Sequence, residues 1–235
     1  MRRAMTVLSL ALLAGAPALL AQDATDSRPG IAVLPFENGG SYGQDKENFE
    51  ALQRGIPGML ISELAQNPAA RVVDRAEIQK LLGEQDLGEA GRVDAATAAK
   101  IGKLVGAKYM IAGTFVDLYG RFRMDARIIN VETSEILKVV RGDPKLEKRE
   151  DISPLLQSVA ENLMKETKLP PLTEEQARAV KAKNVPTEAL SYYSKALLYQ
   201  DQGDKAKAVD YFKKALDAFP GYTAAEEGLK KISQT

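Results

Sequence analysis

The sequence predicts an α/β protein of the α+β kind. It has a mixed sheet ending in an antiparallel meander with helices packed on it, followed by a small all-α helical hairpin domain. Three observations predict this. The apolar run Ile31-Ala-Val-Leu-Pro-Phe36 leads into a helical pattern, as a buried strand feeding a helix does. Arg121–Val131 alternates, with Phe122, Met124, Ala126 and Ile128 facing one way and Arg121, Arg123, Asp125 and Arg127 the other. From Thr187 to Ser233 the pattern is helical throughout.

Residues 1–21 have the layout of a secretory signal peptide: Arg2 and Arg3, a short apolar stretch Met5–Ala14, then cleavage candidates ending at Ala18 and Ala21. The apolar stretch is short for a membrane span, which needs roughly 20 residues. The mature protein is therefore expected in the periplasm, with no integral membrane insertion and at most peripheral association with the outer membrane. Residues 22–30 read as a polar linker, 31–166 as an α/β domain, 167–186 as a linker with a short helix, and 187–235 as a helical unit with a capping helix.

Along the α/β segment, Asn38–Lys46 is a glycine-rich loop. Leu52, Ile56, Met59, Leu60 and Leu64 then recur at helical spacing, with Pro57 predicting either a kink or a helix that begins there. Val72-Val73 is a short strand and Asp74 an N-cap for a helix carrying Ile78, Leu81 and Leu82. After a glycine-rich loop over 86–93, Asp94–Val105 is a second short helix stopped by Gly106. Strands follow at Lys108–Asp117, Arg121–Val131 and Ile136–Arg141, the first two joined by Tyr119-Gly120. This meander is expected to keep one solvated face. After Asp143-Pro144, Ile152–Met164 is an amphipathic helix that covers the sheet. Lys168–Pro171 opens a linker, Thr173-x-x-Gln176 is a capping box, and Asn184-Val-Pro186 breaks the chain again.

The absences narrow the chemistry. The chain has no histidine, no cysteine and no tryptophan. Without imidazole there is no Ser–His–Asp triad, without His and Cys no zinc site of the usual kind, and without Cys no disulfide. Lys plus Arg equal Asp plus Glu at 32 each, and no block of like charge appears, so no nucleic-acid partner is expected. No cofactor and no metal are expected either.

The last fifty or so residues resemble one tetratricopeptide repeat. Tyr192-x-x-Lys195-Ala196-x-x-Tyr199, Ala208-x-x-x-Phe212, Ala215 and Pro220 carry the likeness, and Gly203-Asp204 makes the turn. Small residues at 196, 208 and 215 let two helices approach, and aromatic residues at 192, 199 and 212 are expected to fill the space between them. Lys195 departs from the usual leucine. One such repeat rarely buries a core alone, so the unit is expected to pack on the preceding domain, on a second copy or on a partner.

Residues 31–142 resemble the CsgG family of curli secretion and the related N-terminal domain of TolB-like proteins. The stretches IAVLPFEN, GMLISEL, RVVDRAEIQKLLGEQ, GKLVGAKYMIAGT and ARIINVETSEILKVV carry the resemblance. The family's channel subunits add long hairpins to a shared outer-membrane barrel. Here Tyr119-Gly120 joins two strands directly, and the lipidation cysteine is missing. The resemblance implies a non-enzymatic envelope protein, an adaptor or an assembly or secretion factor acting through protein–protein contacts, with a homo-oligomer as one outcome. A pore subunit and a serine hydrolase are the alternatives.

Gly39-x-Ser41-x-Gly43 matches a nucleophile elbow in a plausible strand–helix context. With no histidine, a serine–lysine pair with Lys46 or Lys100 as base is the formal route left to a nucleophile, and the bland reading of Ser41 is a flexible, exposed turn. The resemblance points instead to Tyr42 and Asn48-Phe49 in the same loop region, where the family's channel carries a tyrosine and an Asn-Phe pair at its constriction. The spacing here differs, and Phe49 also reads as the first core residue of the helix. The Arg121, Arg123, Arg127 row suits an anion, but with Asp125 inside it such a row more often forms the wet face of a sheet. Asp201 and Asp204 lack the ligand spacing of a calcium loop.

Overall fold

The computed structural model describes residues 26–43, 45–84, 93–141, 147–182 and 184–234. The signal stretch, nearly all of the 86–93 loop and Asp143-Pro144 lie outside the described residues. In chain order the elements are β1 (Gly30–Val33), β2 (Glu37–Asn38), α1 (Lys46–Leu64), β3 (Arg71–Val72), α2 (Arg75–Glu84), α3 (Ala95–Leu104), β4 (Tyr109–Leu118), β5 (Arg121–Asn130), β6 (Ile136–Arg141), β7 (Glu147–Lys148), a short 3-10 turn, α4 (Ile152–Glu166), α5 (Glu174–Ala182), α6 (Thr187–Asp201), α7 (Lys205–Ala218) and α8 (Thr223–Gln234). The sheet order is β3-β1-β4-β5-β6, with β2 also beside β4 and β7 beside β5. β1 runs parallel to β3 and β4, whereas β4, β5 and β6 form the antiparallel meander.

β1 is apolar without a break because it is covered on both faces. Ile31 and Val33 point into the core under α1 and α4, while Ala32 and Leu34 point to a second core under α2 and α3. The regular strand ends at Val33, earlier than the apolar run suggests. Pro35 has no N–H to donate, and Phe36 N–H turns away to the Gln53 carbonyl in α1 at 3.0 Å. That carbonyl is available because Pro57, four residues later, has no N–H to reach back to it. Pro57 therefore lies inside α1, and the helix starts at Lys46 rather than near the proline.

The meander's second face is only partly solvated, which corrects the expectation of an open face. Ile129 and Val131 are buried with Met110 and Ala112 beneath α3, and the end carrying Arg121 to Arg127 is left uncovered by the described residues. α4 covers the first face as expected, with Leu156, Val159 and Leu163 packed into the main core. The caps behave locally. Asp94 accepts the Thr97 N–H at 2.7 Å and Asp74 the Ala76 N–H at 2.8 Å. Thr173 and Gln176 bond reciprocally at 2.9 and 3.2 Å, a complete capping box.

The helical hairpin α6–α7 does not stand alone. α1 lies against α6 and takes the place that a neighbouring repeat would occupy. Two glycines on α1 permit the approach: a Cβ on Gly55 would lie 1.8 Å from Ser194 Oγ, and one on Gly58 would lie 2.7 Å from Tyr193 Oη. The apolar core consequently runs without interruption from β1 and α1 into Leu190, Leu197, Phe212 and Ala225.

Candidate protein-contact surface

The loop after β2 is zipped to the edge of β4. Asn38 Oδ1 accepts the N–H groups of Gly40 at 3.1 Å and Ser41 at 2.8 Å. Gly39 N–H donates to the Phe115 carbonyl at 2.8 Å, and Tyr42 N–H to the Asp117 carbonyl at 2.7 Å. Ser41 Oγ accepts the Asp117 N–H at 2.8 Å, so the hydroxyl completes a sheet edge. Lys46 pairs with Glu50 at 3.3 Å on its own helix. The expected flexible turn is thus a bonded one.

Asp117 is fully buried, and its carboxylate accepts from Arg149 Nε at 2.6 Å and Nη2 at 2.9 Å, and from Gly120 N–H at 2.9 Å. The Arg149 carbonyl in turn accepts the Thr187 hydroxyl at 3.1 Å. This one pair therefore ties the β4–β5 turn to the start of α6. An acid at a core-facing position of an otherwise apolar strand was the sequence signal for it, and it went unread.

The turn itself is strained. Tyr119 has φ of +52° and Gly120 φ of +87°, the two left-handed residues of a tight hairpin. Glycine or asparagine suits the first position; a tyrosine there carries a cost of about 1 kcal/mol. Tyr119 gains little packing in return, being 81% exposed. Tyr42, bridged to Leu118, is 63% exposed beside it. Gly43 at φ +93° is what lets the two tyrosine segments pass, since a Cβ there would sit 2.7 Å from the Tyr119 ring. Asn48 is half-buried and lines a small cavity with Arg149, Thr187 and Ser191. Phe49 is buried in the main core, so the structure does not gather Tyr42, Asn48 and Phe49 on one surface. Sequence reasoning missed Tyr119, whose signal was a bulky residue in a two-residue hairpin turn.

In the helical unit Ala196, Ala208, Phe212 and Ala215 are fully buried, Gly203 sits in the turn at φ +78°, and Pro220 follows the end of α7. Of the three aromatics expected inside, Phe212 is interior, whereas Tyr192 and Tyr199 are not. Tyr193 packs on Phe212 at 6.1 Å and on Tyr222 at 5.1 Å between ring centres. Tyr192 and Tyr199 lie outside as half-buried residues flanking Tyr211, with Tyr199 stacked on it at 5.5 Å. Lys195 sits over the Tyr211 ring at 5.7 Å, a cation–π contact in place of the leucine contact.

Polar contacts hold this unit to the α/β part. Asp201, whose side chain is 7% exposed, accepts from Arg54 Nε at 3.2 Å and from Arg75 at 3.0 and 2.9 Å. Lys231 of α8 pairs with Asp74. Burial raises the Asp74 carboxyl, but the Lys231 ammonium, the Ala76 N–H and Arg75 together outweigh it and hold the group below its ordinary value. Tyr199 donates its hydroxyl to Glu47 at 2.7 Å, and that bond pushes its pKa up to about 12. Among the described residues no group of three or more acidic side chains is placed to hold a metal ion. No helix among them is long and apolar enough to cross a membrane.

Fold and surface together define an α/β unit fused to a single helical repeat, with two exposed tyrosines at one end of its sheet. Residues 14–121 match the family model for the curli production assembly/transport component CsgG, and residues 189–222 match a tetratricopeptide-repeat model. The chain is therefore similar to the CsgG family over its N-terminal half and to a tetratricopeptide repeat near its C-terminus. The stretch ARIINVETSEILKVV lies beyond the matched span. Among solved structures, the LpoB C-terminal domain from Escherichia coli is similar at 19% identity, over 52% of this chain and 87% of that one, with a TM-score of 0.38. TolB from Acinetobacter baumannii is 11% identical over 70% of this chain and 31% of that one, with a TM-score of 0.35. The lipoprotein GNA1162 from Neisseria meningitidis is 12% identical over 59% of this chain and 97% of that one, also at 0.35. No curated protein matches the chain.

Proposed function

We propose that the protein is a non-enzymatic adaptor or assembly factor of the bacterial cell envelope, exported to the periplasm and acting through protein–protein contacts of its α/β and repeat units. The observation that carries this reading is Tyr119, an 81% exposed aromatic residue held in a left-handed conformation. Strain kept at a surface position without compensating packing points to a contact made with something else. Tyr42 beside it extends the same patch, and aromatic side chains are the usual anchors of protein interfaces. A pore subunit has less support, since β4 and β5 are joined by Tyr119-Gly120 with no room between them for an inserted membrane hairpin. Hydrolysis through Ser41 has less still, because its oxygen accepts a sheet N–H.

A photo-crosslinking residue placed at 42 or 119 of the full chain in the source cells tests this. Discrete protein adducts are expected from both positions and not from Leu104, an apolar control on α3 that is 59% exposed. Absence of adducts, or the same adducts from position 104, refutes the reading.

A further inference from the structure

We propose that the uncovered end of the second sheet face docks an extended acidic polypeptide through Arg121, Arg123, Arg127 and Lys148, a specification that rests on the protein-contact reading above. α3 covers this face only as far as Ile129 and Val131. Beyond that limit the floor is Val116 and Leu118, both half-buried, with Val139 on the neighbouring strand 37% exposed. Register places Leu118, Arg121 and Lys148 in one row across β4, β5 and β7, extended by Tyr42 through its bridge to Leu118, and Arg127 beside Val139 further along.

The charges on this face are poorly matched within the chain. Arg121, Arg127 and Lys148 have no ion-pair partner among the described residues. Arg123 pairs with Asp125 at 3.2 Å, yet its Nε is buried and makes no hydrogen bond. Among the described residues Glu37 and Asp125 are the carboxylates in register on this face, against five cations, the fifth being Arg141 opposite Asp125. The chain as a whole is neutral, so the excess is local. Charge complementarity calls for an acidic partner.

The spacing calls for an extended one. Side chains on one face of a strand recur about every 6.6 Å, so Arg121 and Arg123 stand one such repeat apart and Arg123 and Arg127 two repeats, about 13 Å. An extended chain with acids at alternate positions has the same repeat, and its carboxylates meet the guanidinium forks in the two-pronged geometry arginine favours. The apolar floor between the cations suits the intervening side chains of such a peptide better than it suits hydrated lipid headgroups.

The test uses the full chain and a fluorescent peptide of alternating glutamate and valine, followed by anisotropy. Binding in the micromolar range is expected, weakening about tenfold or more between about 50 and about 500 mM salt. Arg121→Gln with Arg127→Gln should weaken it about tenfold at low salt while leaving the circular dichroism spectrum unchanged. A peptide of the same composition with its glutamates in one block should bind more weakly. The inference is overturned by equal binding of the double variant, by equal binding of the block peptide, or by arginine-dependent binding to phosphatidylglycerol vesicles in preference to either peptide. Protein crosslinks at positions 42 and 119 that persist unchanged in the double variant would sink this inference while leaving the protein-contact reading standing.

Discussion

Gly55→Ala separates two opposite expectations by sign. On an open helix face, replacing glycine by alanine stabilises by about 1 kcal/mol through helix propensity. Gly55, however, lies where α1 meets α6. The new Cβ would fall 1.8 Å from Ser194 Oγ, 2.6 Å from its Cβ and 3.2 Å from its Cα. Normal carbon contacts are about 3.5–4 Å. A rotamer change at Ser194 clears only the hydroxyl, which also donates to the Leu190 carbonyl at 2.7 Å, so the helices themselves must part. Overpacking of this kind costs about 1–3 kcal/mol and sometimes more. Parting the helices would also loosen the Asp201 contacts to Arg54 and Arg75. Because the clash reaches the Ser194 backbone, the upper end of that range, about 3 kcal/mol, applies, and a net destabilisation of about 2 kcal/mol is expected once the propensity gain of about 1 kcal/mol is subtracted. Urea unfolding followed by far-ultraviolet circular dichroism measures it. Gly83→Ala is the control, because a Cβ there meets nothing within 4 Å and should stabilise by about 0.5–1 kcal/mol. Adding Ser194→Gly should recover part of the Gly55→Ala loss. If Gly55→Ala stabilises as Gly83→Ala does, the close α1–α6 packing is wrong.

Arg149→Met removes the Arg149 guanidinium from the buried Asp117 carboxylate and should cost about 3 kcal/mol, read as a lower urea midpoint; a change below about 0.5 kcal/mol would count against the pair's importance. Tyr119→Asn should stabilise by about 0.5–1 kcal/mol by relieving the left-handed tyrosine, while losing the crosslinks made from position 42; a less stable variant refutes the strain argument. The Asp74 carboxyl is depressed in the folded state, so its contribution is present above the ordinary value of 3.8 and is lost as pH falls through the lower folded value. The stability advantage of the wild type over Lys231→Met should therefore shrink in acid, and an advantage that stays constant down to acid unfolding contradicts the pairing. Tyr193, raised by burial, and Tyr199, raised by its bond to Glu47, both ionise near pH 12 instead of the ordinary 10. Their contribution is complete below pH 10 and is lost as pH rises through 12, so tyrosinate absorbance should show a late phase coincident with unfolding, and a single early phase with the fold retained would refute it.

Periodicity and local chemistry were enough to read most elements. Ile31–Val33, the alternation of β5, the Asp94 cap and the Thr173–Gln176 box follow from neighbours within a few residues, and the sequence carries those neighbours. The composition alone removed imidazole and thiol chemistry from consideration. Tertiary structure decided what depends on contacts between distant residues. It made Pro57 an interior helix residue by giving the Gln53 carbonyl another donor, Phe36 N–H. It turned Asp117 into an ion-paired core residue through Arg149, 32 positions away. It selected Tyr193 and Tyr222 over Tyr192 and Tyr199 as the interior aromatics, because the α1 face against α6 fixes which side of the hairpin is buried. Which loop side chains face outward was likewise unreadable, since Tyr42 and Phe49 are both aromatic residues in one loop region and only the packing of α1 buries the second. Local hydrogen bonding and side-chain alternation are encoded a few residues apart. Burial is set by whatever the folded chain brings alongside.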